Sequence, residues 1–239
     1  SGGEQELSEV KTISLESEES FENGTPGSWH LDKSAEWSDI DKARITFDVS
    51  SVMKTVDGNY KDVILVLDIS GSMSGDKLAK VKSDSKELVD YLLSNSNNND
   101  GLIVYDDNAE TITGFTNNKT ELENQINSIS ANGCTNYNDP LKHVDSVMEN
   151  YTKQANRDVV TLFLTDGYPN VNIPNEQGEY KVLKEKHPYM QIQGIQYEMG
   201  KDILDQLKRV SDNQFFADIY TLQNILFDAT ISPINYNKL

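Results

Sequence analysis

The stretch Val63–Met73, with the sequence VILVLDISGSM, decides the fold of this chain. Its five leading apolar residues run into Asp68, and a run this short and this apolar is typical of a strand buried on both faces. Gly71 allows the loop that follows to turn back, which would aim the oxygens of Asp68, Ser70 and Ser72 at one point. The carboxyl end of a central parallel strand is where open α/β sheets place their ligands. Such oxygen donors suit Mg²⁺, Mn²⁺ or Ca²⁺ better than Zn²⁺ or Cu²⁺.

Strand and helix patterns alternate from residue 61 onward. Apolar runs and period-two alternation predict strands at 62–68, 101–105, 111–113 (a short edge strand), 159–164, 189–198 (a more exposed strand) and 214–217. Helical periodicity predicts helices near 76–94, 118–129, 139–154, 178–186, 203–210 and 220–231. This alternation places the chain in the α/β class, as a doubly wound, mostly parallel sheet with helices on both faces.

The 239 residues suffice for one domain with a modest appendage. Asp and Glu outnumber Lys and Arg by 39 to 21, giving a net charge of −18 that argues against binding to nucleic acid or to anionic membrane surfaces. No stretch approaches the roughly 18–20 apolar residues of a membrane span, so we expect no direct membrane insertion. The single cysteine, Cys134, cannot form an internal disulfide. We interpret it as an inert thiol, because no motif links a histidine to it.

Composition divides the chain into four segments. These are an acidic arm or linker at 1–43, an extra strand with its turn at 44–60, the α/β domain at 61–232 and a C-terminal tail at 233–239. Ser1–Gly3 is interpreted as a tag remnant. Trp29 and Trp37 suggest that the acidic arm docks through its aromatic side chains.

Two further loops carry chemistry that matches the first. Thr135 lies in a loop of small and polar residues, and Asp166 follows the buried strand at 159–164 as Asp68 follows the first. If those strands are neighbours, both carboxylates lie at the same edge of the sheet. The alternative is that these side chains only cap loops through hydrogen bonds to the backbone. The pair Asp106–Asp107 could form a second cation site, but a solvated turn is the favoured interpretation.

With these loops in view, residues 61–231 resemble a von Willebrand factor A domain. The match includes Met73 of the DISGSM stretch. The residues that match the metal-ion-dependent adhesion site of this family are Asp68, Ser70, Ser72, Thr135 and Asp166. The resemblance implies a six-stranded sheet with one antiparallel edge strand. The segment 43–55 resembles the extra strand that precedes this domain in large Gram-positive surface adhesins.

The resemblance also implies a function, that of a divalent-metal-dependent binding module without enzymatic activity. Ser70, Ser72 and Thr135 would contact Mg²⁺ directly or through water, and the two aspartates would hold its waters, with Mn²⁺ and Ca²⁺ as alternative ions. A protein partner, such as a host or matrix protein, would complete the metal shell with a carboxylate. The implied location is extracellular, on a bacterial cell surface, with a cell-wall anchor in the full-length protein.

Two other functions remain open from the sequence. One is an intracellular assembly module that recruits an acidic loop of a partner machine, like the von Willebrand A-type subunits that work beside AAA ATPases. The other is a metal-dependent hydrolase, although no general base is evident. Cys134 departs from the family pattern, which commonly has glycine before the threonine. If it displaced Thr135, metal affinity would fall while the fold survived.

Overall fold

The computed structural model of the chain describes residues 29–39, 42–51, 59–171, 178–198 and 204–231. The chain divides into two compact units, Ser1–Gly58 and Asn59–Leu239. Predictions for the tag remnant, for the acidic residues before 29 and for the tail at 233–239 lie outside the described residues. Within the described segments, no helix is long and apolar enough to cross a membrane.

The first unit contains an antiparallel pair of strands, β1 (Trp29–Asp39) and β2 (Lys42–Ser51). Strand β2 overlaps the segment 44–60 in which the extra strand was predicted, whereas β1 was not predicted. Polar and charged residues interrupt its alternation, so its sequence resembles a linker. In the structure, β1 forms a strand by pairing with β2, which sets Leu31 opposite Val49 and Ala35 opposite Ile45.

The second unit is built on a six-stranded sheet in the order β5-β4-β3-β6-β7-β8. Its strands are β3 (Tyr60–Asp68), β4 (Asn99–Tyr105), β5 (Ala109–Thr116), β6 (Arg157–Thr165), β7 (Gln191–Tyr197) and β8 (Asn213–Ala217). Only β5, at one edge, runs antiparallel to its neighbour, and the other pairings are parallel. The predicted fold class is confirmed, and β3 and β6 are neighbours at the centre.

Helices cover both faces of this sheet. They are α1 (Asp76–Leu93), α2 (Lys119–Ser128), α3 (Asn138–Met148), α4 (Glu179–Lys186), α5 (Leu204–Leu207) and α6 (Leu222–Ile231). Alternate residues of β3 divide between two apolar clusters. Val63, Leu65 and Leu67 pack with α1, α2 and α6, whereas Ile64 and Val66 pack with α3, α4 and α5. The strand is thus buried on both faces, as its unbroken apolar run predicts.

The prediction of a more exposed strand at 189–198 was wrong. Strand β7 lies between β6 and β8, and its side chains from Ile192 to Tyr197 are buried. The polar residues that suggested exposure find partners inside the sheet layer. Gln193 is wholly buried and accepts a hydrogen bond from the Asn213 side chain at 2.9 Å. A satisfied amide can occupy a buried position that alternation alone would assign to solvent.

Helix α3 ends at Met148, earlier than the predicted boundary at 154. A tight turn follows, in which Tyr151 N donates to Met148 O at 2.9 Å. The turn carries the Tyr151 hydroxyl to Asp62, to which it donates at 2.6 Å. Asp62 also accepts from the Arg157 guanidinium at 2.5 Å, so this buried cluster joins the starts of β3 and β6 to the end of α3.

A glycine in β7 brings α5 directly onto the sheet. A β-carbon at Gly194 would lie 2.5 Å from Ser211 Oγ and 2.6 Å from Leu207 Cγ. At Gly114 in β5, by contrast, a β-carbon would meet nothing within 4 Å. The two strand glycines therefore differ in the space around them.

We expect Gly194→Ala to lower the free energy of unfolding by about 1–3 kcal/mol, because the added methyl group must push α5 off the strand. Gly114→Ala is the matched control and should leave stability unchanged or slightly raised. Urea denaturation of both variants measures the difference. Equal effects from the two substitutions would show that α5 does not pack on β7 as described.

Candidate metal-binding site at the carboxyl edge of the sheet

Three loops meet at the carboxyl edge of the central strands. The loop after β3 is joined to the α2–α3 loop by backbone hydrogen bonds, from Gly71 N to Gly133 O at 3.0 Å and from Asn132 N to Ile69 O at 2.8 Å. The loop after β6 joins through Asn170 N, which donates to Thr135 O at 3.0 Å. Backbone bonds thus hold the three loops together without using the side chains of the candidate site.

The first loop is anchored by Asp68, the wholly buried last residue of β3. Its Oδ1 accepts from Ser70 N at 2.8 Å, and its Oδ2 accepts from the Thr165 hydroxyl at 2.8 Å. A short 3₁₀ turn at Gly71–Met73 follows, and the buried side chain of Met73 fixes it to the core. The chain therefore turns directly after β3, held by Asp68 on one side and Met73 on the other.

The third loop contacts the first through side chains. Ser70 Oγ lies 3.2 Å from Ser72 Oγ, and the Ser72 hydroxyl donates to Asp166 Oδ1 at 2.6 Å. Asp166 has no solvent exposure. The two strand-ending aspartates thus stand at one edge of the sheet, linked by the two serines.

Thr135 completes the cluster from the second loop. A β-carbon built on Gly167 would lie 3.7 Å from both Ser72 Oγ and Thr135 Oγ1, so the two hydroxyls flank that glycine. Thr135 is nearly buried, and its N donates to Asn170 Oδ1 at 2.8 Å. The structure therefore brings together all five residues that the sequence singled out. That they bind a metal stays a prediction.

Cys134 does not displace Thr135. Its side chain is exposed, and a hydrogen bond to Asp107 raises the pKa of the thiol. A raised pKa leaves less of the nucleophilic thiolate, which agrees with the interpretation of an inert residue. The thiol contacts the turn between β4 and β5 through Asp107, whereas Thr135 is buried.

Asp106 and Asp107 pack against the second loop. A β-carbon at Gly133, where φ is +70°, would come within 2.7 Å of Asp107 Oδ2 and 2.9 Å of Asp106 Oδ2. Glycine is required there by both the backbone conformation and the close approach. Across the described residues, no group of three or more His, Cys, Asp or Glu could hold a metal ion. The five-residue site does not depend on such a group, because three of its members are hydroxyls.

Lys77 is part of the site and was missed by the sequence analysis. It lies in the first turn of α1, and its Nζ donates to Asp166 Oδ2 at 2.6 Å. Its position shortly after the serine motif, at the start of the helix that follows, was the available signal. Spacing alone did not show that the side chain turns back toward the third loop.

Three further residues stabilise the site and were also missed by the sequence analysis. The Tyr137 hydroxyl donates to Gly167 O at 2.6 Å, and the Tyr105 hydroxyl donates to Leu164 O at 3.0 Å. Thr165 bridges Asp68 to the third loop, since its Oγ1 accepts from Gly167 N at 3.2 Å. These contacts hold the β6 end in place, and nothing in their local sequence indicates them.

Burial dominates the electrostatics of Asp68. It raises the pKa of this carboxyl to about 6, and the nearby charge of Asp166 adds to the effect, while the hydrogen bonds from Ser70 and Thr165 oppose it. Ionised Asp68 is therefore costly until a positive charge approaches. Two carboxylates and three hydroxyls, all oxygen donors from three loops, fit a hard divalent cation.

Comparison with known families agrees with this fold. Residues 63–168 match the family model described as von Willebrand factor type A domain. The matched segment runs from β3 to the third loop and includes every residue of the candidate site. This part of the chain, somewhat less than half of it, is therefore similar to the von Willebrand factor type A domain.

Solved structures with this fold come from different organisms. The vWF domain of the type V pili tip protein Mfa5 from Porphyromonas gingivalis has a TM-score of 0.60 at 15% identity, over 74% of this chain and 99% of that chain. The pilus adhesin SpaC from Lactobacillus rhamnosus GG, in its open conformation, has a TM-score of 0.59 at 14% identity, over 87% of this chain and 34% of that chain.

A third similar structure is that of proximal thread matrix protein 1 from the mussel byssus, with a zinc-occupied MIDAS motif. Its TM-score is 0.59 at 19% identity, over 72% of this chain and 45% of that chain. At identities this low, the likeness extends to the fold alone. What these proteins bind is their own property.

We expect Asp68→Asn to stabilise the protein in chelator at pH 7.5 by about 2–3 kcal/mol, since it removes a buried carboxylate whose folded pKa lies about two units above its unfolded value near 3.9. Asparagine can still accept from Ser70 N. Because protonation relieves the cost in the wild type, the gain should shrink as pH falls through 6 and vanish near pH 4. Urea denaturation at several pH values in EDTA measures this. A gain independent of pH would contradict it.

Proposed function

We propose that this domain is a divalent-metal-dependent adhesion module, in which a partner protein's acidic group completes the shell of a Mg²⁺ ion. The observation that carries the proposal is the convergence of five oxygen-bearing side chains from three loops at the carboxyl edge of β3 and β6. The proposed metal residues are Asp68, Ser70, Ser72, Thr135 and Asp166. A zinc-occupied MIDAS motif in the mussel protein of the same fold supports the choice of a divalent ion.

The three neutral and two charged side chains would have different roles in the site. Ser70, Ser72 and Thr135 would offer neutral oxygens, so few negative charges would touch the cation directly. Asp166 would orient the Ser72 hydroxyl, Asp68 would hold the loop through the Ser70 N–H, and both carboxylates would hold any bound water from the buried side. A cation held mainly by neutral donors keeps its attraction for a further carboxylate, which is what the partner would supply.

The charge of the whole chain favours a cation at the contact with an acidic partner. With a net charge of −18, the protein repels a carboxylate at long range. A bound divalent ion at an exposed edge would reverse this locally. We therefore propose Mg²⁺ as the ion, with Mn²⁺ and Ca²⁺ as alternatives, and a protein partner, such as a host or matrix protein, that presents Asp or Glu.

We propose a binding role rather than an enzymatic one. The two histidines with described side chains have partners elsewhere, His143 with the Thr111 hydroxyl at 2.8 Å and His187 with Asp145 at 3.2 Å. Neither is placed to serve as a general base at the metal residues. The pilus proteins among the similar structures support an extracellular location on a bacterial surface.

We expect Ser72→Ala to weaken Mg²⁺ binding by about tenfold or more, because it removes both a ligand oxygen and the hydrogen bond that orients Asp166. Ser74→Ala is the matched control, an exposed serine of the same loop outside the motif, and should bind as the wild type does. Isothermal titration with MgCl₂ measures both. Unchanged affinity in the Ser72 variant would contradict the assigned ligand set.

We expect binding to a protein partner to require the metal. Wild-type protein applied to immobilised fibrinogen, fibronectin and collagen in MgCl₂ should bind at least one of them, and EDTA or Ser72→Ala should abolish that binding while Ser74→Ala should not. A soluble peptide with a central glutamate should compete, and its glutamine counterpart should not, because only a carboxylate can complete the metal shell. Binding that is unaffected by EDTA and by the substitution would refute metal-bridged adhesion.

A further inference from the structure

We propose that Lys77 sets the affinity of the site for its cation, because its ammonium group and the bound ion share the carboxylate of Asp166. Lys77 would weaken metal binding and stabilise the fold when no metal is bound. This inference rests on the proposed function, since it assumes that Asp166 belongs to a metal site. It adds a residue that the five-residue motif does not contain.

The ammonium group of Lys77 contacts one of the two oxygens of the Asp166 carboxylate. Lys77 Nζ lies 2.6 Å from Asp166 Oδ2, while Asp166 Oδ1 accepts from the Ser72 hydroxyl at 2.6 Å. One oxygen of the carboxylate therefore faces the proposed ligands, and the other faces the ammonium. Asp166 is wholly buried, so water screens this pair poorly.

Two positive charges on one buried carboxylate repel each other. A divalent cation bound beside Ser72 would approach the side chain that already neutralises Asp166. Part of the attraction between the ion and the carboxylate would then be offset by repulsion from Lys77. Without Lys77 the site would gain a full negative charge for the ion, but the buried carboxylate would lack a counter-ion in the absence of metal.

The position of Lys77 in its helix supports a role at the site. It occupies the second residue of α1, next to Asp76, where the helix dipole disfavours a positive charge. Helix formation alone would favour an acidic residue there. The pairing with Asp166 compensates for this placement.

Lys80, one turn further along α1, is a matched control. Its Nζ lies 2.8 Å from Oδ1 of Asp84, and its side chain is 30% exposed, against 32% for Lys77. Both lysines pair with a carboxylate that is at most 1% exposed. They differ in that only Asp166 belongs to the proposed metal residues, so the two neutral variants separate a local effect from a general change in charge.

The experiment titrates the whole chain with Mg²⁺ alone, comparing the wild type with Lys77→Met and Lys80→Met. We expect Lys77→Met to bind Mg²⁺ about tenfold tighter or more, and Lys80→Met to stay within about threefold of the wild type. Thermal unfolding gives a second readout. Both variants should melt below the wild type in EDTA. Mg²⁺ should raise the melting temperature of Lys77→Met by more than it raises that of the wild type. For Lys80→Met the rise should equal that of the wild type.

Two more variants keep the test decisive if Lys77→Met folds poorly. Lys77→Gln is neutral but can still donate a hydrogen bond to Asp166, and it should also bind Mg²⁺ more tightly. Lys77→Arg keeps the charge and should retain an affinity near that of the wild type.

The experiment distinguishes a failure of the Lys77 proposal from a failure of the proposed metal site. A wild type that binds Mg²⁺ with neutral Lys77 variants of equal or weaker affinity would overturn the role of Lys77 and leave the metal site intact. A wild type and Lys77 variants that all fail to bind Mg²⁺, Mn²⁺ or Ca²⁺ would overturn the proposed function, and this inference with it.

Discussion

The two hydrogen bonds that hold the Asp68 carboxylate are the constraint on which the rest of the site depends. One comes from Ser70 N and shapes the loop after β3. The other comes from Thr165 and ties that loop to the end of β6. They hold a buried carboxylate whose pKa is raised to about 6, so the core of the domain must offset its cost. A bound cation would remove that cost, which couples the stability of the fold to the proposed activity.

The second aspartate is balanced differently. Asp166 is buried like Asp68, but Lys77 provides a positive charge at 2.6 Å. Among the described residues, the site therefore combines one carboxylate without a basic partner and one that an ammonium group already neutralises. This asymmetry gives each residue a distinct effect on the metal. As a result, the proposed metal site does not carry the full negative charge of both aspartates.

Much of the fold could be predicted because its signals are local. The apolar run before Asp68 indicates a doubly buried strand, and the periodic leucines and valines of 76–94 indicate the helix that became α1. The errors arose where partners at a distance decide the outcome. Strand β1 takes shape by pairing with β2, and Gln193 is buried because Asn213 bonds to it.

The sequence by itself determined which residues could form a metal site, since the motif specifies the oxygen donors and the strands that precede them. Only the tertiary structure decided that Thr135 and Asp166 meet Ser72, because that requires β3 and β6 to be neighbours and three loops to bond through their backbones. It alone placed Lys77 on Asp166 and turned Cys134 toward Asp107. The physical reason is that side-chain oxygens are a local property, whereas their distances and shared charges depend on packing between segments far apart in the chain.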